Sequence, residues 1–69
     1  MPLTLAAAGE TNIIKGIDGT AETKRFLENL GFKEGCSVTV INSMCGSLIV
    51  GLHEDMVAVS QDMAARIIV

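Results

Sequence analysis

Six side chains stand out in this sequence as candidate ligands for a metal ion. They are the thiols of Cys36 and Cys45, the thioether of Met44, and the consecutive His53, Glu54 and Asp55. Thiolate and imidazole suit divalent transition metals, and carboxylates extend the range to harder ions. Spacing decides whether they can act together. Cys36 falls on a strand and Cys45 at the tip of the hairpin that follows. About seven strand rises separate them, or roughly 23 Å at ~3.3 Å per residue. Neither a disulfide nor a shared ion bridges that distance within one chain. Cys36 also alternates in phase with Val38 and Val40, where a free cysteine behaves as a small hydrophobe. His53, Glu54 and Asp55 are adjacent, so their side chains diverge, and the chain has no C-x-x-C or H-x-x-x-H spacing. A solvated turn is therefore the favoured reading of that trio. Cys45, His53, Glu54 and Asp55 are the metal-ligand candidates.

Catalytic constellations are missing from the sequence. There is one histidine, no G-x-x-x-x-G-K-[ST] phosphate loop, and no carboxylate pair set among apolar residues. Gly16, Gly19, Gly31 and Gly35 read as turn and cap residues. The expectation is a protein that is not an enzyme.

The elements that must position these residues are few, because 69 residues form one domain, 1–69, with a single small core. Apolar residues make up 49% of the chain, enough for packing and too many for disorder. The formal net charge is −3, and Lys15, Lys24, Arg25, Lys33 and Arg66 are scattered without interleaved aromatics. That balance excludes a phosphate-binding surface for nucleic acid and a polybasic membrane anchor. The longest apolar run, Leu3 to Ala8, is too short to span a bilayer and follows no cationic segment, so no membrane insertion and no secretion signal are expected. A cytoplasmic location with reduced thiols follows as the default.

Turn signals recur every eight to twelve residues or so, as in small all-β barrels. Thr11 to Ile17 reads as a first strand with Ile13, Lys15 and Ile17 on one face, ended by Asp18-Gly19. Thr20 to Leu30 reads as the one good helix, with Thr20 as N-cap and Glu22 in its first turn. Thr23, Phe26, Leu27 and Leu30 fall at i, i+3, i+4 and i+7 and predict one buried stripe. Gly31 suits a left-handed C′ position, and Phe32 at C″ would pack back on Leu27. Cys36, Val38 and Val40 then alternate with Ser37, Thr39 and Ile41, and Leu48, Val50 and Leu52 with Ser47, Ile49 and Gly51. Keeping the valines and leucines on one face requires an odd loop, so Met44-Cys45-Gly46 is expected as a three-residue turn. Val40 would then face Val50, and Ile41 would face Ile49. After a turn at His53-Glu54-Asp55 comes a short strand at Met56 to Val59. A helical turn capped by Ser60 follows, and Ile67 to Val69 forms a last strand. The architecture expected is mainly β: a small SH3-like barrel of about five strands, one helix and a short helical turn before the last strand.

Leu27-Glu28-Asn29-Leu30-Gly31-Phe32, followed by Gly35, Val38 and Val40, resembles the L-x-x-L-G-F-x-x-G-x-x-V-x-V signature of the FeoA family. Gly46, Leu48, Val50, Val57-Ala58-Val59, Ala64, Ile67 and Val69 continue the pattern, and Met1-Pro2-Leu3-Thr4-Leu5 with Gly9-Glu10 is similar too. The resemblance covers nearly the whole chain. It implies an SH3-like fold and a cytoplasmic accessory of ferrous iron uptake that binds and modulates FeoB, the iron transporter with a cytoplasmic GTPase region. No cofactor is required in that role. The iron theme turns attention back to Cys45 and the His53 region as ligands for a divalent ion, iron or zinc. That gives a first alternative, a small metal-binding carrier or sensor. A second is an SH3-like domain acting with a metal-dependent repressor of the DtxR type, although this chain lacks the DNA-binding part of one. The resemblance requires no cysteine at position 36 or 45.

Ile41 and Ile49 are expected on the outward side of the central hairpin. Cover by the helix or the last strand is the plainer reading. Left open, they and Met44 at the tip form a docking surface for a partner or a second copy of the chain, so a homo-oligomer is also allowed. Leu27, Leu30 and Phe32 are assigned to folding.

Overall fold

The alternating run that opens at Thr11 is cut in two at Ile14 and Lys15, and the cut sets the architecture. The structure, a computed structural model, describes residues 1–52 and 55–69. Strand β1 (Thr11–Ile13) pairs antiparallel with β3 (Ser37–Met44), whereas β2 (Gly16–Ile17) pairs antiparallel with β6 (Ile67–Ile68). Between β1 and β2 the backbone changes partner within two residues. Ile14 donates its N–H to the Cys36 carbonyl at 2.9 Å, and Lys15 donates to the Ile68 carbonyl at 2.7 Å. The single strand expected here is thus a corner. Ile13 and Ile17 do not share an environment: Ile13 is exposed, while Ile17 packs against the core and Ile14 is buried in it.

Helix α1 (Ala21–Leu30) begins and ends as its sequence dictates. Thr20 Oγ1 accepts from the Thr23 N–H at 3.2 Å, supplying a partner for an otherwise orphaned first-turn donor. At the other end Gly31 adopts φ 108°. Its N–H donates to Glu28 and that of Phe32 to Leu27, each at 3.0 Å, which is the Schellman bond pair. Leu27 and Phe32 are both fully buried, so the hydrophobic lock forms. The stripe does not bury as expected: Phe26 is 51% and Leu30 38% exposed. The core meets the helix at Leu27, one border of the stripe, and Phe26 lies about 100° away around the axis.

The four-stranded sheet runs β1-β3-β4-β5, where β4 is Ser47–Leu52 and β5 is Asp55–Ser60. Val40 faces Val50 as expected, but the register shifts between Val40 and Asn42. Beyond the shift Asn42 pairs with Ile49, Ser43 with Leu48 and Met44 with Ser47. Ile41 is the extra residue of a β-bulge and does not face Ile49, and the turn holds only Cys45 and Gly46. An odd residue is needed to keep Val40 and Leu48 both inward; the bulge supplies it, and the loop takes an even length. Cys45 (φ 50°) and Gly46 (φ 78°) both have positive φ, as a type I′ turn requires.

Helix α2 (Gln61–Ala64) is one turn, with Ser60 Oγ accepting from the Met63 N–H at 3.3 Å. It leads into β6, where Ile68 also bridges Pro2. A 3₁₀ turn at Leu3–Leu5 then drives Leu3 fully into the core. The core is Leu3, Ile14, Leu27, Phe32, Val38, Val50 and Ile67 with their neighbours, each contributing roughly 1.5–3 kcal/mol of transfer free energy. Six strands in a four-stranded and a two-stranded sheet replace the five expected, and among the described residues no closed barrel forms.

Candidate functional site

The metal-ligand candidates come out separated. Cys45 is exposed in the hairpin turn, and Cys36 is half-buried against the core, its carbonyl bonded to Ile14. Asp55 is exposed at the first position of β5, where its Cα partner is Leu52. His53 and Glu54 lie outside the described residues. Among the described residues no group of three or more His, Cys, Asp and Glu side chains comes together. Nor does any described buried side-chain nitrogen or oxygen lack a partner, so no orphaned polar atom points to a missing ligand.

The outward face of the four-stranded sheet is where apolar residues gather. Odd-numbered positions of β3 and β4 point away from the core up to the bulge, since Val38, Val40, Leu48, Val50 and Leu52 point in. Gly51 therefore leaves a gap on the outer face, and Ile41 leans over it: a Cβ built at Gly51 would lie 3.5 Å from Ile41 Cδ1. Ile41 is 42% exposed, Met44 at the end of β3 is 56%, and Met56, opposite Gly51 on β5, is 70%. Ile49 is half-buried between Asn42 and Ala58. Neither α1 nor β6 covers this face to the point of burying Ile41, Met44 or Met56. Ile41 and Met44 are thus open as candidates, whereas Ile49 is partly covered and Met56 is an addition.

A second apolar surface escaped the sequence reading. Phe26 and Met63, with Glu22 and Thr23, line a shallow cavity of about 240 Å³ between α1 and α2. The sequence does carry its signal. An apolar stripe four positions wide on a ten-residue helix exceeds what a core this small can cover.

The geometry can bind; it assembles no nucleophile, base or ion cage among the described residues. Comparison with known proteins agrees with a small β module. No curated protein matches the chain. Among solved structures it is similar to an iron uptake regulatory protein, FeoA, at TM-score 0.88 and 26% identity, covering 96% of this chain and 88% of that one. The fold is shared with the FeoA protein of Chlorobium tepidum at TM-score 0.86 and 19% identity, over 97% of this chain and 66% of that one. It is shared too with a manganese-dependent transcriptional repressor at TM-score 0.87 and 17% identity, where 97% of this chain spans 39% of the repressor. No described helix is long and apolar enough to cross a membrane. Residues 1–69 match the FeoA domain family from end to end, and the chain belongs to that family.

Proposed function

We propose that this protein is a cytoplasmic, non-catalytic accessory of ferrous iron uptake. Its SH3-like fold presents the outer sheet face to the cytoplasmic GTPase region of a FeoB-type transporter and modulates it. The observation that carries the reading is the uncovered apolar face at Ile41, Met44 and Met56 on a member of the FeoA family. Contiguous apolar surface on a small soluble domain marks an interaction site, and its exposure costs free energy that docking recovers. No cofactor is needed for this role.

The experiment is titration of the protein against the cognate transporter's GTPase region, with and without guanine nucleotide. Binding at micromolar concentration supports the accessory role, and nucleotide dependence places the action in the GTPase cycle. Ile41→Glu should keep the fold, because the side chain is surface-exposed, and should weaken binding at least tenfold. A folded Ile41→Glu protein that binds as well as the wild type refutes this face as the site. Titrating the reduced protein with ferrous iron or zinc tests the carrier reading, which stoichiometric uptake lost in Cys45→Ser would favour instead.

A further inference from the structure

The chain carries five basic and eight acidic side chains, yet among the described residues the outward side of the four-stranded sheet has none of them. Its outward positions are the odd ones of β1 and β4, the odd ones of β3 up to Ile41, the even ones of β3 beyond the bulge, and the even ones of β5. Asp55, the charged residue of β5, pairs with Leu52 and so has the opposite phase. A soluble surface is ordinarily about 25–35% Asp, Glu, Lys and Arg. At that density about a dozen positions escape all four by chance at most roughly one time in thirty. The polar side chains of the face are also largely occupied. Thr11 and Thr39 share a hydroxyl hydrogen bond of 2.8 Å, and Asn42 Oδ1 accepts from the Ser43 N–H at 2.8 Å. Ser60 Oγ accepts from the Met63 N–H at 3.3 Å. These groups keep their partners when water leaves the face, so covering it strands few of them.

We infer that this face docks a protein surface that is itself uncharged, so that shape and apolar burial make the contact and no ion pair enters it. The inference rests on the accessory role proposed above and names the chemistry of the transporter surface that meets Ile41, Met44 and Met56. Charge decides the occupant. A charged side chain of a partner laid on this face would lose water and find no counter-charge, a penalty the contact could not recover. The buried centres of protein interfaces are depleted in charge for this reason. An anionic bilayer or a nucleic acid would need cations here, and the face offers none on a chain of net charge −3. With no charge at the contact to steer encounter, association depends little on salt.

Charges of both signs at one position test this, with the GTPase region of the cognate transporter as the probe. Ala58 is exposed at an outward position, opposite Ile49. Ala58→Lys and Ala58→Glu should each weaken binding at least about tenfold, whatever the sign. Asn29→Lys and Asn29→Glu make the same changes of net charge at an exposed position of α1 and should stay within about twofold. The wild type, which needs no variant to fold, should lose less than about threefold in affinity between 0.15 M and 1 M salt, where the Debye length falls from about 8 to 3 Å. If one sign at Ala58 weakens binding and the other strengthens it, or if salt weakens it about tenfold, the partner surface is charged. The inference then falls while the accessory role stands. Undiminished binding by both Ala58 variants takes the contact off this face and overturns it too. A wild type that does not bind the GTPase region refutes the accessory role and the inference with it. Sedimentation showing a dimer, or retention on phosphatidylcholine vesicles, that both Ala58 variants abolish would put a second copy or a neutral bilayer on the face, and either result overturns the inference.

Discussion

Gly31→Ala is the substitution whose cost the structure fixes most directly. Gly31 has φ 108° and ψ 0°, well past the usual left-handed minimum near +57°. An L side chain pays about 1–2 kcal/mol in left-handed backbone, and the upper figure applies this far out. Crowding adds little, because the new Cβ would meet only Leu52 Cδ1 at 3.4 Å, an ordinary contact. Against this, alanine restricts the unfolded chain and returns roughly 0.4–1 kcal/mol. The net loss is about 1–1.5 kcal/mol, a fall in melting temperature of roughly 5–12 °C for a domain this size. Thermal unfolding followed by circular dichroism measures it. Gly16→Ala is the control: its φ is not positive and no atom lies within 4 Å of the added Cβ, so it should be neutral or slightly stabilising. A Gly31→Ala protein melting within about 2 °C of the wild type would refute the strain argument. If both substitutions cost the same, the loss is generic to alanine and the Schellman geometry is not its cause.

Thr20→Ala removes the acceptor of the Thr23 N–H and should cost ~1 kcal/mol in urea unfolding, whereas Thr20→Ser should cost a few tenths. Cys45→Asn places a residue that tolerates positive φ before Gly46 and should raise the unfolding midpoint, by about 0.5 kcal/mol; a loss of stability would mean the turn is not type I′.

Local devices were legible because each is written in neighbouring residues. Thr20 and Ser60 cap their helices, and Leu27, Gly31 and Phe32 lock the end of α1, as their spacing predicts. Parity was legible too: alternation demanded an odd residue between Val40 and Val50. Where to put it was not legible, because a three-residue turn and a bulge plus a two-residue turn satisfy the same alternation. The bulge places Ser43, rather than Asn42, opposite Leu48. The corner at Ile14 and Lys15 was invisible for a different reason. It depends on partners more than twenty residues away for Ile14 and more than fifty for Lys15, and nothing local interrupts the strand pattern. Partial exposure of the α1 stripe likewise depends on how much surface the rest of the chain can cover. Of the candidate site, the openness of Ile41 and Met44 was anticipated as one of two readings, Met56 was not singled out, and His53 and Glu54 lie outside the described residues.

The corner at Ile14 and Lys15 also has a kinetic side. The β3-β4-β5 meander joins neighbours along the chain, whereas β2 reaches β6 only by closing a loop of about fifty residues, at an entropic cost that local pairing avoids. We predict that the meander forms the folding nucleus and that β6, with Leu3 behind it, docks after the rate-limiting barrier. Truncating Val50 should then slow folding, and truncating Ile67 should chiefly accelerate unfolding. Chevron plots with the opposite assignment would exclude this order. With it, the two-stranded sheet acts as the clasp of the molecule: the last part to fasten and the first to let go, so the time the native state survives is set by a few residues at the ends of the chain.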